Sequence, residues 1–368
     1  MMGISLSNWL YRANNLGLRP YKIIIIVALS LMATAAEVFG IGILLPVFQF
    51  IQLNGDLSAL VESSGVWQHV ISVFDFFSIK PSLEILLLIV FGSFVVKQLI
   101  TYVRLIYIAA VTQKITQIQQ NQIFNKYIDA DTSYHDSVTV GDLTNIMTTE
   151  VYSVVRLLMA PMEIIVYLVM LVGYISILFL LSWQMTMTSI VVLIFASGVP
   201  YVWIKKSAQT GRKVVRSNTL MLKFLVERLR SPRLVRLSGT EIAEKNEFYN
   251  LTQKQRKHSV FRSVLQAKTD VMVEPVIVGF SIIFLYFSYT VLQLQTDVIG
   301  IYLVVILRLM PVVKGIIMRW QTIQVYLGSM EAVESHLQSM QDSIEIDNGG
   351  KDLSRLHQSI SFNKVSYQ

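Results

Sequence analysis

Gln113-Lys-Ile-Thr-Gln-Ile-Gln-Gln-Asn-Gln-Ile-Phe-Asn-Lys-Tyr127 decides how this chain is built. The sequence turns polar here without becoming turn-rich, and Ile115, Ile118, Gln122, Ile123 and Phe124 keep near-helical spacing, so the apolar segment before it is read as continuing as helix. A break follows at Asp129-Ala-Asp-Thr-Ser-Tyr-His-Asp-Ser-Val-Thr-Val-Gly-Asp142, dense in turn and cap residues, and helix resumes at Leu143. The design returns further on: helix from Lys205 to Arg230, a break around Ser231-Pro232 and Ser238-Gly239, then helix from Glu241 onward. Two ordinary soluble loops are the alternative, and long structureless loops are uncommon. A helical extension of about 20 residues projects roughly 30 Å beyond a bilayer.

The apolar segments flanking these excursions place the chain in a membrane. With 53% hydrophobic and 15% charged residues, the composition lies far from that of an average soluble domain. Spans are expected near residues 21 to 50, 83 to 111, 157 to 181, 184 to 204, 271 to 293 and 298 to 322, each long enough for the roughly 20 residues that cross a bilayer. The first is too long for the apolar core of a signal peptide, and no small-residue cleavage site follows it. Between 205 and 268 there are sixteen Lys or Arg against Glu227, Glu241, Glu244 and Glu247. Arg12, Arg19 and Lys22 precede the first span, so the positive-inside bias puts both termini and both excursions in the cytoplasm.

The net charge of +7 follows from this topology and gives no reason to expect nucleic acid as a partner. The chain has no cysteine, which excludes thiolate metal sites and disulfides, and its histidines show no metal spacing. Residues 1 to 20, with Trp9 and Tyr11, read as a short interfacial helix. Residues 21 to 325 form the membrane domain. Residues 326 to 358 read as an amphipathic helix, with Met330, Val333 and Leu337 on one face, and a polar linker. Residues 359 to 368 then place Ile360, Phe362, Val365 and Tyr367 in a strand-like stretch without a partner.

An all-α membrane protein of six spans with two long helical hairpins and this terminal strand resembles the transmembrane domain of an ABC exporter of the type IV fold, over essentially the whole chain. Family chains enter their nucleotide-binding domain through a strand of the pattern Ile-x-Phe-x-x-Val-x-Phe/Tyr, which Ile360, Phe362, Val365 and Tyr367 fit. The resemblance implies coupling helices near Ser133 to Gly141 and Leu229 to Gly239. Tyr134, His135 and Asp136 at the first tip, and Arg230, Ser231, Pro232 and Arg233 at the second, then touch the nucleotide-binding domain. Gly141-Asp-Leu-Thr-Asn-Ile-Met-Thr-Thr-Glu150 looks like the family's glycine-led start of the helix before span three, although Tyr134-His135 stand where a Phe is often seen. Ala36-Glu-Val-Phe-Gly-Ile-Gly-Ile-Leu-Leu-Pro-Val-Phe48 and Leu307-Arg-Leu-Met-Pro-Val-Val-Lys314 look most like PglK-type flippases of lipid-linked oligosaccharides.

The resemblance implies a homodimer in an inner membrane, driven by ATP and Mg2+ in the full-length protein, with membrane lipid and an amphiphilic substrate as partners. No Gly-x-x-x-x-Gly-Lys-Ser/Thr phosphate loop occurs, so this stretch of chain is expected to bind neither ATP nor Mg2+ and to hold no catalytic residue. Leu237-Ser-Gly-Thr240 has the letters of an ABC signature but sits at a hairpin tip. The unpaired terminal strand reads as the first strand of a nucleotide-binding domain cut short.

Charges within a bilayer cost about 3 kcal/mol or more at mid-span and need partners or water. Lys97 and Arg104 lie about two turns apart on span two; Arg308 and Arg319 share a face of span six, with Lys314 about 120° away on an ideal helix and Pro311 able to shift that phase. Lys97, Arg308 and Lys314 are read as a cationic surface, at positions where, by resemblance, such flippases carry cations for a pyrophosphate. The alternative is structural ion pairing with Glu37 and Glu274, with Arg104 and Arg319 snorkelling at span ends. Asp270 stands where related flippases place an arginine, one turn before Glu274-Pro275, which weighs against phosphate. Glu37 is read either as a proton relay or as a buried partner for Lys97 or Arg104. The functional alternatives are an ABC exporter of a drug, peptide or neutral lipid, and a non-transporting scaffold or receptor.

Overall fold

The computed structural model describes residues 19–53, 81–181, 200–290 and 296–344, with a few isolated positions elsewhere. They form α1 (Pro20–Gln52), α2 (Leu83–Ile128), α3 (Thr132–Ser137), α4 (Val140–Asn145), a π-helical turn (Ile146–Glu150), α5 (Val151–Leu181), α6 (Tyr201–Arg230), α7 (Pro232–Leu237), α8 (Glu241–Thr290) and α9 (Thr296–Asp342). The expected N-terminal interfacial helix and terminal strand, and most of the expected fourth span, lie outside the described residues.

The polar excursions are helix, continuous with the apolar segments. α2 runs unbroken for 46 residues and α8 for 50, about 70 Å and about 75 Å of rod, against a hydrocarbon layer of about 30 Å. Helix α9 runs unbroken from Thr296 to Asp342, so the expected amphipathic helix Tyr326–Met340 is the far end of span six, and nearly all of the expected linker after it lies outside the described residues. Pro46, Pro161, Pro275 and Pro311 all lie inside helices that persist around them, as membrane helices permit when neighbours satisfy the freed carbonyls.

The breaks carry the capping chemistry their letters suggest. Asp131 opens α3 by accepting from the Tyr134 N–H at 2.9 Å, and Thr139 opens α4 by accepting from the Asp142 N–H at 3.2 Å. At the second tip Pro232 starts α7. Gly239, at φ 62°, ends it. The Thr240 N–H donates to the Val235 carbonyl and the Gly239 N–H to the Arg236 carbonyl, which makes this a Schellman stop.

Two environments hold the rods. α1, α2 and the segment Val140–Phe179 have the length and apolarity to cross a membrane. Ile24, Leu31 and Phe39 of α1 and Leu88, Phe91 and Leu99 of α2 are exposed, a surface suited to lipid. There, Ile41, Tyr174, Leu178, Tyr302, Val305 and Leu309 pack α1, α5 and α9 together, through close fit rather than escape from water. At the hairpin end a second cluster joins Val111, Ile115 and Ile123 of α2 to Val154 and Leu158 of α5 and Met330, Val333 and Met340 of α9. Outside the bilayer such side chains stabilise by about 1.5–3 kcal/mol each. Helices α5 and α9 belong to both clusters and form the spine.

Candidate functional site

Glu37 of α1 has 1% of its side chain exposed and faces cations from two other helices. Its Oε1 lies 2.8 Å from Lys97 Nζ of α2 and 3.4 Å from Arg308 Nη1 of α9. The buried Tyr174 of α5 stands beside the carboxylate. The Arg308 guanidinium rests over the Phe94 ring, 5.2 Å from its centre, a favourable seat for a partly desolvated cation. One carboxylate against two cations leaves a surplus positive charge. That surplus is reachable from Arg308, whose side chain is 44% exposed against 18% for Lys97.

Lys314 is not part of this group. Its Nζ lies 2.8 Å from Asp270 and 4.0 Å from Glu274, both on α8. The displaced phase of Lys314 on α9 therefore persists through Pro311, and the acid that weighed against a phosphate site is neutralised by this lysine. Arg104 and Arg319 do not snorkel independently. Arg319 pairs with Glu163 of α5, Arg104 acts on the same carboxylate electrostatically, and Arg104 Nη1 also donates to the Ser30 hydroxyl at 3.2 Å. Sequence reading missed Glu163. Its signal was plain enough: an acid within an expected span, two residues after Pro161, is by default a partner for an intramembrane base.

The cations of α9 thus form a ladder. From Arg308 to Lys314 is about 9 Å along the axis and from Arg308 to Arg319 about 16 Å. Each rung meets a carboxylate from a different helix: α1, α8 and α5 in turn.

The hairpin tips differ in how they present the expected docking residues. At the first, Tyr134 is buried at 4% exposure, and its hydroxyl lies 3.2 Å from His336 Nδ1 of α9. His135 turns back so that Nε2 meets the Tyr127 carbonyl at 2.7 Å. Asp136 remains exposed. Burial pushes the His336 pKa below its ordinary value, with the Asp142 carboxylate opposing. At the second tip Arg230, Ser231, Pro232 and Arg233 are all exposed, together with Leu229, Leu234 and Leu237.

A family model, the ABC transporter transmembrane region, matches residues 23–311. The chain belongs to that family.

Within the ABC transporter transmembrane family the chain is similar to an ATP-dependent lipid A-core flippase of Methylobacillus flagellatus, 23% identical over 299 residues, covering 78% of this chain and 49% of the relative. Its fold is that of the transmembrane domain of a solved bacterial Atm1-family ABC exporter with ATP bound, at TM-score 0.67 and 14% identity, over 89% of this chain and 54% of that one. The chain spans about half the length of these ABC proteins. Glu37, Lys97, Arg308, Glu163 and both tips fall inside the family match. Lys314 and Arg319 lie just beyond it.

Proposed function

We propose that this ABC transmembrane domain belongs to an ATP-driven exporter that flips an amphiphile with an anionic head, of the lipid-linked saccharide kind, across the membrane. The observation that carries this reading is the surplus cation at Glu37, Lys97 and Arg308, half exposed on Arg308 and assembled by three membrane helices. An arginine fork suits phosphate oxygens, and a low-dielectric surround strengthens the attraction. The lipid A-core flippase relative supports a lipid cargo.

In this reading two copies of the chain assemble in the bacterial inner membrane, with both termini in the cytoplasm. Nucleotide-binding domains binding ATP and Mg2+ close on each other and pull on the hairpins. The continuous α2, α8 and α9 are suited to transmit that motion, since a rod without a joint moves as one piece. Two access states then exchange because nucleotide favours one of them.

A second reading, export of a drug, peptide or neutral lipid, draws on a different observation: Lys97 and Lys314 already have carboxylate partners at 2.8 Å. The complete protein reconstituted in vesicles separates the two. With Lys97 and Arg308 both changed to Gln, loss of flipping of a diphosphate-linked lipid while ATP hydrolysis continues is the expected result. Undiminished flipping removes the anionic-head reading.

A further inference from the structure

We propose that the open seam between α8 and α9 is a binding groove for an amphiphile with an ammonium head, its tail lying between the two helices and its head against Asp270 and Glu274. The site shares no residue with the Glu37 cluster, so it goes beyond the anionic-head reading and stands or falls separately from it.

The groove follows from one spacing used on two helices. On α8, Asp270, Glu274, Ile277, Ser281 and Leu285 recur at intervals of three and four residues and so share a face. On α9, Leu303, Leu307, Met310 and Lys314 do the same. Ile277, Ser281 and Leu285 line one wall of an open groove, and Leu303, Leu307 and Met310 line the other. One turn further toward the hairpins both walls become charged: Lys314 Nζ lies 2.8 Å from Asp270 and 4.0 Å from Glu274. Lys268 falls about 160° from Asp270 around an ideal α8 and belongs to another face. From Glu274 to Leu285 is about 16 Å of helix, half of the roughly 30 Å of bilayer hydrocarbon. The groove therefore has the length of one leaflet and a charged end.

Apolar fit alone cannot choose an occupant, because lipid tails are as apolar as these walls. Selection falls to the charged end. Two carboxylates against one ammonium leave one surplus negative charge. The lysine is held by Asp270, and its 4.0 Å separation from Glu274 is beyond hydrogen-bonding reach. Both acids are open to an incoming group, with side chains 46% and 56% exposed against 29% for Lys314. An ammonium head seated there supplies the missing positive charge and can donate charge-assisted hydrogen bonds to the Glu274 oxygens. A neutral head gains no such attraction, and an anionic head meets the surplus as repulsion. The surplus is opposite in sign to the one at Arg308, which lies about 120° from Lys314 around α9, so the two sites suit heads of opposite charge.

Photolabelling tests the site directly. The full chain in phosphatidylcholine nanodiscs at neutral pH is offered three probes that share a tetradecyl chain with a diazirine at its middle and differ only in an ammonium, hydroxyl or sulfate head. After illumination and proteolysis, mass spectrometry compares label on the groove residues of α8 and α9 with label at Leu88 and Phe91 of α2. Those two are exposed apolar side chains, and the ratio corrects for how much of each probe enters the bilayer. In the wild type the ammonium probe is expected to exceed the hydroxyl probe by on the order of tenfold, with the sulfate probe below both. Glu274→Gln, which leaves no net charge, is expected to bring the ammonium probe down to the hydroxyl level. Lys314→Gln, which leaves two negative charges, is expected to raise it above the wild type.

Equal ratios for the ammonium and hydroxyl probes in the wild type overturn the proposal and leave a groove filled by whichever lipid is nearest. A sulfate probe ahead of the ammonium overturns it too and makes Lys314 the recognising group. An ammonium excess undiminished in Glu274→Gln overturns it as well, since the surplus charge is then not what holds the head. Should the variants not fold, the order of the three heads on the wild type decides alone. None of these outcomes involves Glu37, Lys97 or Arg308, so the anionic-head reading is left as it stands.

Discussion

The two hairpin tips are made of the same parts and embedded in opposite ways. Each carries a six-residue helix, α3 or α7, between its long arms, the first with α4 and a π-helical turn added before its second arm. The first is tied to the chain's own spine: the Asp131 N–H donates to the Ser343 carbonyl at 2.8 Å, Ala130 bridges to Ile344, Lys126 reaches Gln341 at 3.0 Å, and Tyr134 fills the space beneath. The second is held through its own arms, where Arg228 Nε donates to Glu244 at 2.7 Å and Phe224 stacks on Phe248. Helix α7 itself buries no residue. A tip that is part of the spine shares the movements of α9. The second tip instead turns apolar and basic side chains outward.

The contrast is broken most sharply at the aromatic anchor. Tyr134→Ala removes a buried side chain that packs edge-on to Tyr127, with ring centres 6.5 Å apart. The expected destabilisation is about 3–5 kcal/mol, read as a lower melting temperature and faster amide exchange across α3. Leu237→Ala, at a position 86% exposed, is expected to change stability by less than about 0.5 kcal/mol. Equal effects from the two substitutions would erase the distinction between a built-in tip and a free one.

The tip glycines sharpen it further, because they are needed for different reasons. A Cβ on Gly141 would stand 2.9 Å from Lys223 Cα and 3.0 Å from the Leu222 carbonyl oxygen, so Gly141→Ala pushes against the backbone of α6. The expected loss is about 1–3 kcal/mol, with α4 and α6 losing exchange protection together. At Gly239 a Cβ would meet nothing within 4 Å, and the penalty is the left-handed conformation alone. Gly239→Ala is expected to lose about 1–2 kcal/mol, confined to the α7 stop and leaving the first hairpin unaffected.

Most of the architecture could be read from periodicity and punctuation. Ile115 to Phe124 kept helical phase beyond the apolar run, and Asp131, Thr139, Pro232 and Gly239 fall where caps and stops are needed, because those signals are local and each residue carries its own. Pairing across helices is not local. Lys314 was grouped with Arg308 even though its phase on an ideal helix pointed elsewhere; pairing with Glu274 stood only as the alternative, and Lys314 in fact faces α8, 2.8 Å from Asp270 and 4.0 Å from Glu274. Arg319 shares a face with Arg308, yet about 16 Å of rise brings it to a different neighbour, Glu163. Tyr134 looked like a docking residue because it sits at a tip. Only the return of α9 to that tip, through a helix expected to end in a linker, makes it a core residue.

The smallest expected effect tests whether the first tip can be loosened by acid while the second cannot. The Tyr134 hydroxyl and His336 Nδ1 lie 3.2 Å apart, and the hydroxyl can donate to that nitrogen only while it is unprotonated. Burial holds the His336 pKa below its ordinary value, so the folded state binds fewer protons than the open one. The contribution of the neutral ring is therefore complete above about pH 6.5 and declines as pH falls from there toward the depressed value. Losing one such hydrogen bond is worth about 0.5–1.5 kcal/mol. Amide exchange at about pH 7.5 and about pH 5.5, corrected for intrinsic rates, should show protection in α3 falling with acidification while α7 stays level. His336→Asn places an amide near the Nδ1 position and removes the titrating ring, so the acid step in α3 should vanish. If the step survives in that variant, the histidine is not its source, and the tie between the first tip and the spine has to be sought in the backbone bridge at Ala130 and Ile344.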